Sequence, residues 1–181
     1  NINLVSPSHV AAQILEALNI ACMRGLDIPL VYNTGGYDSM NTLKLLDGIV
    51  DIYMPDMKYS DPGIATRLSS AVDYPRINRE AVKEMHRQVG DLAVDEKGVA
   101  KKGLLVRHLV MPDDISGTGE ILSFLADEIS KNTYLNVMDQ YRPEYRACEF
   151  GEINRRPTIE EIQSAVRKAK SLGLTRLDGY I

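Results

Sequence analysis

Leu30-Val-Tyr-Asn-Thr-Gly-Gly-Tyr37 and Val50-Asp-Ile-Tyr-Met-Pro-Asp-Met-Lys58 share one design. Each is a short run of β-branched, aromatic and aliphatic residues, the composition of a strand, that gives way to polar, Gly or Pro residues at its C-terminal end. Between them Asp38 or Ser39 is placed to cap a short helix carrying Met40, Leu43 and Leu46, which Gly48 stops. Strand, helix, strand in that order is the unit of a parallel sheet, because parallel neighbours need a crossover, and crossovers of this kind are right-handed. The same run-then-polar pattern recurs in Asn1-Ile-Asn-Leu-Val-Ser-Pro-Ser-His9, Leu104-Leu-Val-Arg-His-Leu-Val-Met-Pro112 and Tyr134-Leu-Asn-Val-Met-Asp-Gln-Tyr141. The expected fold is therefore α/β, a parallel sheet of alternating βα units. Its polar strand ends gather on one rim, where ligands and catalytic groups sit in such sheets.

The intervening segments fit this scheme. Ser8 is placed to cap a helix with Val10, Ile14, Leu15, Leu18 and Cys22 at helical spacing, stopped by Gly25. The connection from Tyr59 to Gly103 is long for a βα unit and predicts structure of its own. Asn78 is placed to cap a helix with Ala81, Val82, Met85 and Val89 on one face, and Leu92 to Ala100 reads as a hairpin around Glu96-Lys97-Gly98, so a helix and hairpin insertion spans about 60–103. Ser116 or Thr118 starts a helix with Ile121, Leu122, Leu125 and Ile129. Tyr141 to Pro157 is a loop, Thr158-Ile-Glu-Glu161 is a capping box for a helix through Ile162, Val166 and Ala169, and a last strand is expected over Arg176 to Ile181.

The chain has 181 residues, 44% of them hydrophobic, which suits one domain with a core that needs no disulfide or metal staple. Its formal charge of -4 argues against a general nucleic-acid binder. No apolar run approaches a membrane span and no signal-peptide pattern opens the chain, so a cytoplasmic location with no membrane partner is expected. Cys22 and Cys148 are far apart and form no metal motif; buried free thiols are expected. The chain opens directly on a strand, as a fragment of a longer protein would. Ile2, Leu4 and Val5 make that strand apolar, and an apolar edge invites self-association or coverage by the C-terminal segment.

Asp56 and Lys58, two apart beyond a strand, project to one side and place a carboxylate beside an ammonium. Such a pair either holds a zwitterion or is a surface ion pair. Asn33-Thr34-Gly35-Gly36 joins an amide and a hydroxyl to a permissive backbone, which serves either a ligand or a tight turn. Within the fourth run Arg107 and His108 face opposite ways, and a charge in an apolar strand needs a partner or an anion. His108 reads as a hydrogen-bonded core residue, His86 as a solvated helix residue, and His9 as either a helix-start or a site residue. No P-loop, nucleophile elbow or dinucleotide glycine fingerprint occurs.

Taken in order, Asn3-Leu-Val-Ser-Pro-Ser-His9, Tyr32-Asn-Thr-Gly-Gly-Tyr37, Asp51-Ile-Tyr-Met-Pro-Asp-Met-Lys-Tyr59, Arg107-His-Leu-Val-Met-Pro112, Met138-Asp-Gln-Tyr141 and Asn154-Arg-Arg-Pro-Thr158 resemble the radical S-adenosylmethionine (SAM) proteins related to the pyruvate formate-lyase activating enzyme. The resemblance implies a partial (β/α)6 barrel of the TIM type. It also implies a [4Fe-4S] cluster on a C-x-x-x-C-x-x-C loop, SAM on its open iron, and a 5′-deoxyadenosyl radical that abstracts hydrogen from a protein or small substrate. It places Asn33 and Thr34 beside SAM and Asp56 and Lys58 on its methionyl carboxylate and amine. Arg107, Gln140 and Tyr141 fall near the substrate. Partners implied are a glycyl-radical enzyme or other protein substrate and a low-potential donor such as flavodoxin or ferredoxin. Two departures stand out. The Gly-Gly-Glu segment that contacts the SAM amine is here Ser6-Pro-Ser-His9, which makes Ser6, Ser8 and His9 its counterparts, and the cluster cysteines are missing. The chain then corresponds to the C-terminal part of the enzyme and is inactive alone. A Schiff-base lyase using Lys58, and a non-catalytic barrel that binds a nucleoside or a partner, are the other readings of these residues.

Overall fold

Strands and helices alternate along the chain in a computed structural model, which describes residues 1–178. The elements are β1 (Ile2–Val5), α1 (Ala11–Met23), β2 (Leu30–Thr34), α2 (Met40–Leu45), β3 (Ile52–Met57), α3 (Pro62–Ser69), α4 (Tyr74–Val89), β4 (Ala93–Val94), β5 (Ala100–Leu109), α5 (Thr118–Phe124), β6 (Tyr134–Met138), α6 (Ile159–Ser171) and β7 (Leu177–Asp178). The fold is α/β with a parallel sheet of βα units. Two compact units divide it, Asn1–Pro55 with Ile77–Leu105, and Asp56–Arg76 with the chain from Val106 onward.

In the first unit β1, β2 and β3 pair in parallel, with Ile2 opposite Leu30 and Val31 opposite Ile52. β5 continues the sheet through a Gly103 N–H donated to the Asp51 carbonyl (2.9 Å), and β4 folds back on β5 as an antiparallel hairpin. The core gathers Val31, Tyr32, Leu43, Tyr53, Val82 and Met85, with the rings of Tyr32 and Tyr53 edge to face at 5.7 Å. Coverage thins toward β1. Only Leu18 of α1 is fully buried, Ile2 and Leu4 are half-buried, and Val5 is 65% exposed. In the second unit β6 pairs in parallel with β7, with Leu135 opposite Leu177, and the Val110 N–H reaches the Met138 carbonyl at 3.1 Å. Ile121, Leu122, Leu125, Leu135, Ala169 and Leu174 fill its interior.

Several local expectations are corrected. Ser8 does not cap α1: a 3-10 turn, Pro7–Val10, comes first, and the Ser8 hydroxyl is drawn to Asp38. Neither Asp38 nor Ser39 caps α2 through its side chain, although Ser39 is the N-cap residue. The helix expected from Asn78 starts at Tyr74, leaving Asn78 inside α4 with its amide donating to the Gly36 carbonyl. α3 was not anticipated, although Asp61 caps it by accepting from the Ile64 N–H at 2.7 Å. α5 starts at Thr118, one of the two expected starts, but widens into a π turn over Leu125–Ile129. Cys22 and Cys148 are free but exposed. The capping box Thr158–Glu161 forms as expected. Of the last strand, residues 179–181 lie outside the described residues.

Gly103 has no substitute. Its φ is +125°, and an added Cβ would lie 2.4 Å from the Leu92 Cα and 2.5 Å from the Asp91 carbonyl oxygen. Gly103→Ala should lose at least about 2 kcal/mol of stability in urea denaturation, whereas Gly119→Ala, in a helix with open space around the position, should be neutral or stabilising.

Candidate functional site

Among the described residues of the second unit Asp56 is the one buried carboxylate. It is 7% exposed near the end of β3, and its two oxygens are divided between two cations. Oδ1 accepts from Arg107 on β5, Nε at 2.8 Å and Nη2 at 2.6 Å, while Oδ2 pairs with the Lys58 Nζ at 3.1 Å. The side chains of Lys58 and Arg107 keep 36% and 26% of their surface. Two cations around one carboxylate leave a net positive charge at a polar rim. The same three groups present an acceptor and donors within a few ångströms, which suits a ligand carrying both a carboxylate and an amine.

The backbone that aims Asp56 and Lys58 is held by side chains. The Tyr74 hydroxyl donates to the Asp56 carbonyl (3.1 Å) and accepts the Lys58 N–H (3.2 Å). His108 is wholly buried, with Nδ1 2.9 Å from the Met57 carbonyl and Nε2 3.0 Å from the Thr118 hydroxyl. A carbonyl only accepts, so Nδ1 carries the proton, and in the neutral ring Nε2 accepts from the Thr118 hydroxyl. Burial, the dominant influence, pushes the imidazole below its ordinary pKa and agrees with that assignment. Three consecutive residues, Asp56 to Lys58, thus have a backbone group fixed by Tyr74 or His108. The next turn is fixed as well: the Ser60 N–H donates to the Ser116 carbonyl (3.0 Å), and Gly117, at φ +68°, leaves room that a Cβ would take, 1.8 Å from the Ser60 Oγ.

In the first unit a second buried carboxylate organises the rim. Asp38 accepts the hydroxyls of Ser8 (2.5 Å), Thr34 (2.7 Å) and Tyr32 (3.1 Å), and the Gly36 N–H donates to Thr34 Oγ1 (3.2 Å). Burial and the neighbouring Asp38 raise the Tyr32 pKa, so the phenol stays protonated and donates. Thr34 is buried with its hydroxyl committed to Asp38. Asn33 is half-exposed and its carbonyl accepts the Ser6 N–H at 2.8 Å. Ser6 takes a left-handed conformation (φ 52°), and His9 is exposed.

Ser6, Ser8, His9, Asn33 and Thr34 therefore belong to the first unit, and Asp56, Lys58, Arg107, Gln140 and Tyr141 to the second. Gln140 is exposed and turns its amide to the Met138 sulfur (3.4 Å); Tyr141 donates to the Ile153 carbonyl (2.8 Å). Sequence reading missed Tyr74 and Asp38. Tyr74 lies in a stretch that the sequence pattern assigns to no element, and Asp38 reads from the sequence as one of two candidate helix caps. The nearest signal for either was a polar side chain beside an otherwise apolar strand end. Among the described residues no group of three or more His, Cys, Asp or Glu is placed to hold a metal ion, and no helix is long and apolar enough to cross a membrane.

Parallel α/β proteins with polar strand ends of this kind are a broad class, and comparison narrows it. No family model matches the chain. It is 34% identical over 175 residues to a protein of Methanocaldococcus jannaschii described as uncharacterised, a match that covers 96% of this chain and 47% of that protein. The chain thus spans about half the length of the curated relative it matches. Among solved structures it is similar to a domain of pyruvate-formate lyase-activating enzyme from Bacteroides vulgatus, with a TM-score of 0.65, 10% identity and 98% of both chains covered. At that identity the likeness is one of fold.

Two outcomes test this geometry. Tyr74→Phe should cost about 1–3 kcal/mol in urea denaturation, because the Asp56 carbonyl and the Lys58 N–H both lose their shared partner. His108 stays neutral in the fold while the unfolded chain takes up a proton below the ordinary histidine pKa of 6.5. The stability that this supplies is complete above that pH and is lost as pH falls below it. Relative to His108→Gln, the protein should lose stability as pH falls below that value, with a slope of at most about 1.4 kcal/mol per pH unit; equal slopes for the two proteins would contradict a neutral, buried ring.

Proposed function

We propose that the chain is the C-terminal part of a radical SAM enzyme related to the pyruvate formate-lyase activating enzyme. In this reading Asp56 and Lys58 hold the methionyl amine and carboxylate of SAM. Arg107 holds Asp56 in place and offers a further donor to an anionic group of the cofactor or substrate. The observation that carries the reading is the single carboxylate shared between two cations at the strand ends. The ordered motifs and the shared fold support it.

The residues present fit one of the two implied groups. Asp56, Lys58 and Arg107 are a suitable donor set for an amino-acid zwitterion, and SAM supplies the radical precursor when bound. The described residues offer no ligand set for an iron–sulfur cluster. Cluster ligands are then to be sought in a longer polypeptide, and this chain alone is expected to be inactive. A protein substrate such as a glycyl-radical enzyme, and an electron donor of the flavodoxin or ferredoxin type, complete the proposal. Lyase chemistry at Lys58 is less well served: a Schiff-base lysine works best desolvated, whereas Lys58 is ion-paired and partly solvated.

The test is anaerobic reconstitution, with iron and sulfide, of the longest polypeptide that the gene encodes, followed by assay for 5′-deoxyadenosine from SAM. Lys58→Ala should weaken SAM binding by about 1.5–3 kcal/mol, the loss of a charge-assisted contact. Unchanged affinity would return Lys58 to an ordinary surface pair, and borohydride trapping of a substrate on Lys58 would favour the lyase.

A further inference from the structure

Beyond β6 the chain reads Tyr141-Arg-Pro-Glu-Tyr-Arg-Ala-Cys-Glu-Phe150, with Tyr-Arg occurring twice in six residues. Together with the C-terminal turn of α3 this segment surrounds a cavity of about 570 Å³, room for a small organic molecule. Met111, Ala147 and Ile153 make a buried apolar floor, and Tyr59, Tyr141 and Phe150 pack partly buried against it. The phenols of Tyr59 and Tyr141 are already used, the first with the Ser69 hydroxyl (3.0 Å) and the second on the Ile153 carbonyl (2.8 Å), so these walls offer ring surface.

Among the described residues, the charges that line the cavity are three arginines, Arg67, Arg142 and Arg146, against one glutamate, Glu144. Each arginine has a carboxylate neighbour, but the three pairs differ in place and in strength. Arg67 meets Glu152, and Arg146 donates to Glu149 from Nε (2.8 Å) and Nη2 (2.6 Å); neither of these glutamates lines the cavity. Arg67 also stands in the last turn of α3, where its charge offsets the partial negative charge of the helix end. Arg142 and Glu144 both line the cavity and form the loosest pair, one contact at 3.1 Å between side chains 65% and 71% exposed. A pair so solvated contributes little. An incoming anion therefore displaces Glu144 from Arg142 readily, and the Nη1 edge of Arg146, outside its contact with Glu149, is left to join it. Tyr145, between the two arginines, is 93% exposed in a left-handed conformation (φ 54°), strain of the kind that collects in ligand-binding loops.

We propose that this cavity binds a small organic anion, its aromatic or branched apolar body on Met111, Ala147 and Ile153 and its phosphate or carboxylate group on Arg142 and Arg146. Glu144 is the placeholder that holds Arg142 until the ligand's anionic group replaces it. The inference deepens the reading given above, with a small-molecule substrate class where that reading has a protein, and rests on it for purpose alone: Tyr59 directly follows Lys58.

The test titrates the isotopically labelled 181-residue chain with phenyl phosphate, phenylacetate, N-acetyl-phenylalanine amide and inorganic phosphate, observed by backbone amide NMR without SAM. Saturable shifts at Ser69, Tyr145, Ala147 and Ile153 are expected with phenyl phosphate or phenylacetate, the tighter of the two identifying the anionic group, and binding should weaken as sodium chloride is raised. Inorganic phosphate, which lacks the apolar body, should bind at least about tenfold more weakly. Arg142→Gln should weaken binding of the preferred anion about tenfold, whereas Glu144→Gln, which removes the placeholder, should tighten it. Wild-type affinity in both variants would reduce Arg142 and Glu144 to a surface pair and overturn the proposal. So would an absence of saturable shifts with both aromatic anions, or inorganic phosphate bound as tightly as they are. Equal or tighter binding of the uncharged phenylalanine amide would also overturn it, in favour of a neutral peptide. Failure of SAM binding by the longer polypeptide, by contrast, would count against the cofactor reading alone.

Discussion

A carboxylate that is 7% exposed has to be compensated where it stands, and the manner of compensation at Asp56 governs what the rim of the second unit can do. Arg107 supplies two donors to one oxygen in a fixed fork, and Lys58 supplies a single mobile charge to the other. The rigid partner secures the anion. The mobile one is available to a newcomer, because an ammonium on a four-carbon stem can turn to a second carboxylate while the guanidinium keeps Asp56 paired. Tyr74 and His108 matter for the same reason: if the backbone from Asp56 to Lys58 shifted by an ångström, the division of one carboxylate between two cations would fail.

Asp38 shows the alternative. It is as deeply buried, yet its donors are three hydroxyls, and no cation is described beside it. Neutral donors satisfy the carboxylate without creating a surplus of positive charge, so the cluster fixes the chain leaving β1 and β2 and does not invite an anion. Two acidic residues at two strand ends have therefore been put to different uses. The difference lies in whether the partners are charged.

Much of the fold could be read from local pattern. The polar strand ends, the parallel pairing, the hairpin around Glu96 to Gly98 and the capping box at Thr158 all depend on residues near one another in sequence. α3 was harder, because Pro62–Ser69 is short and mixes Gly63, Thr66 and Arg67 with few apolar residues; its one clear mark was the Asp61 cap. The candidate site was half legible. The D-x-K spacing and the charged residue inside an apolar strand pointed to Asp56, Lys58 and Arg107. That Arg107 would be the partner of Asp56, that Tyr74 would bridge two backbone groups, and that Ser8 would turn to Asp38 are long-range facts, at sequence separations of 51, 18 and 30. No local window contains both ends of such a contact. Cys22 failed for another reason: its helical spacing was apolar, but α1 buries only one of its residues fully.

That sparse burial in α1 has a consequence for local stability. β1 has four residues and α1 keeps most of its side chains at least partly solvated, so little apolar area is lost when this segment opens. Its opening free energy should lie well below that of β2 and β3, whose residues are nearly all buried. Amides in the first two dozen residues would exchange with solvent through local openings, while those of Tyr32 and Tyr53 would wait for global unfolding. The β1–α1 margin is thus softer than the two strands beside it, and a protease would cut there more readily than within β2 or β3.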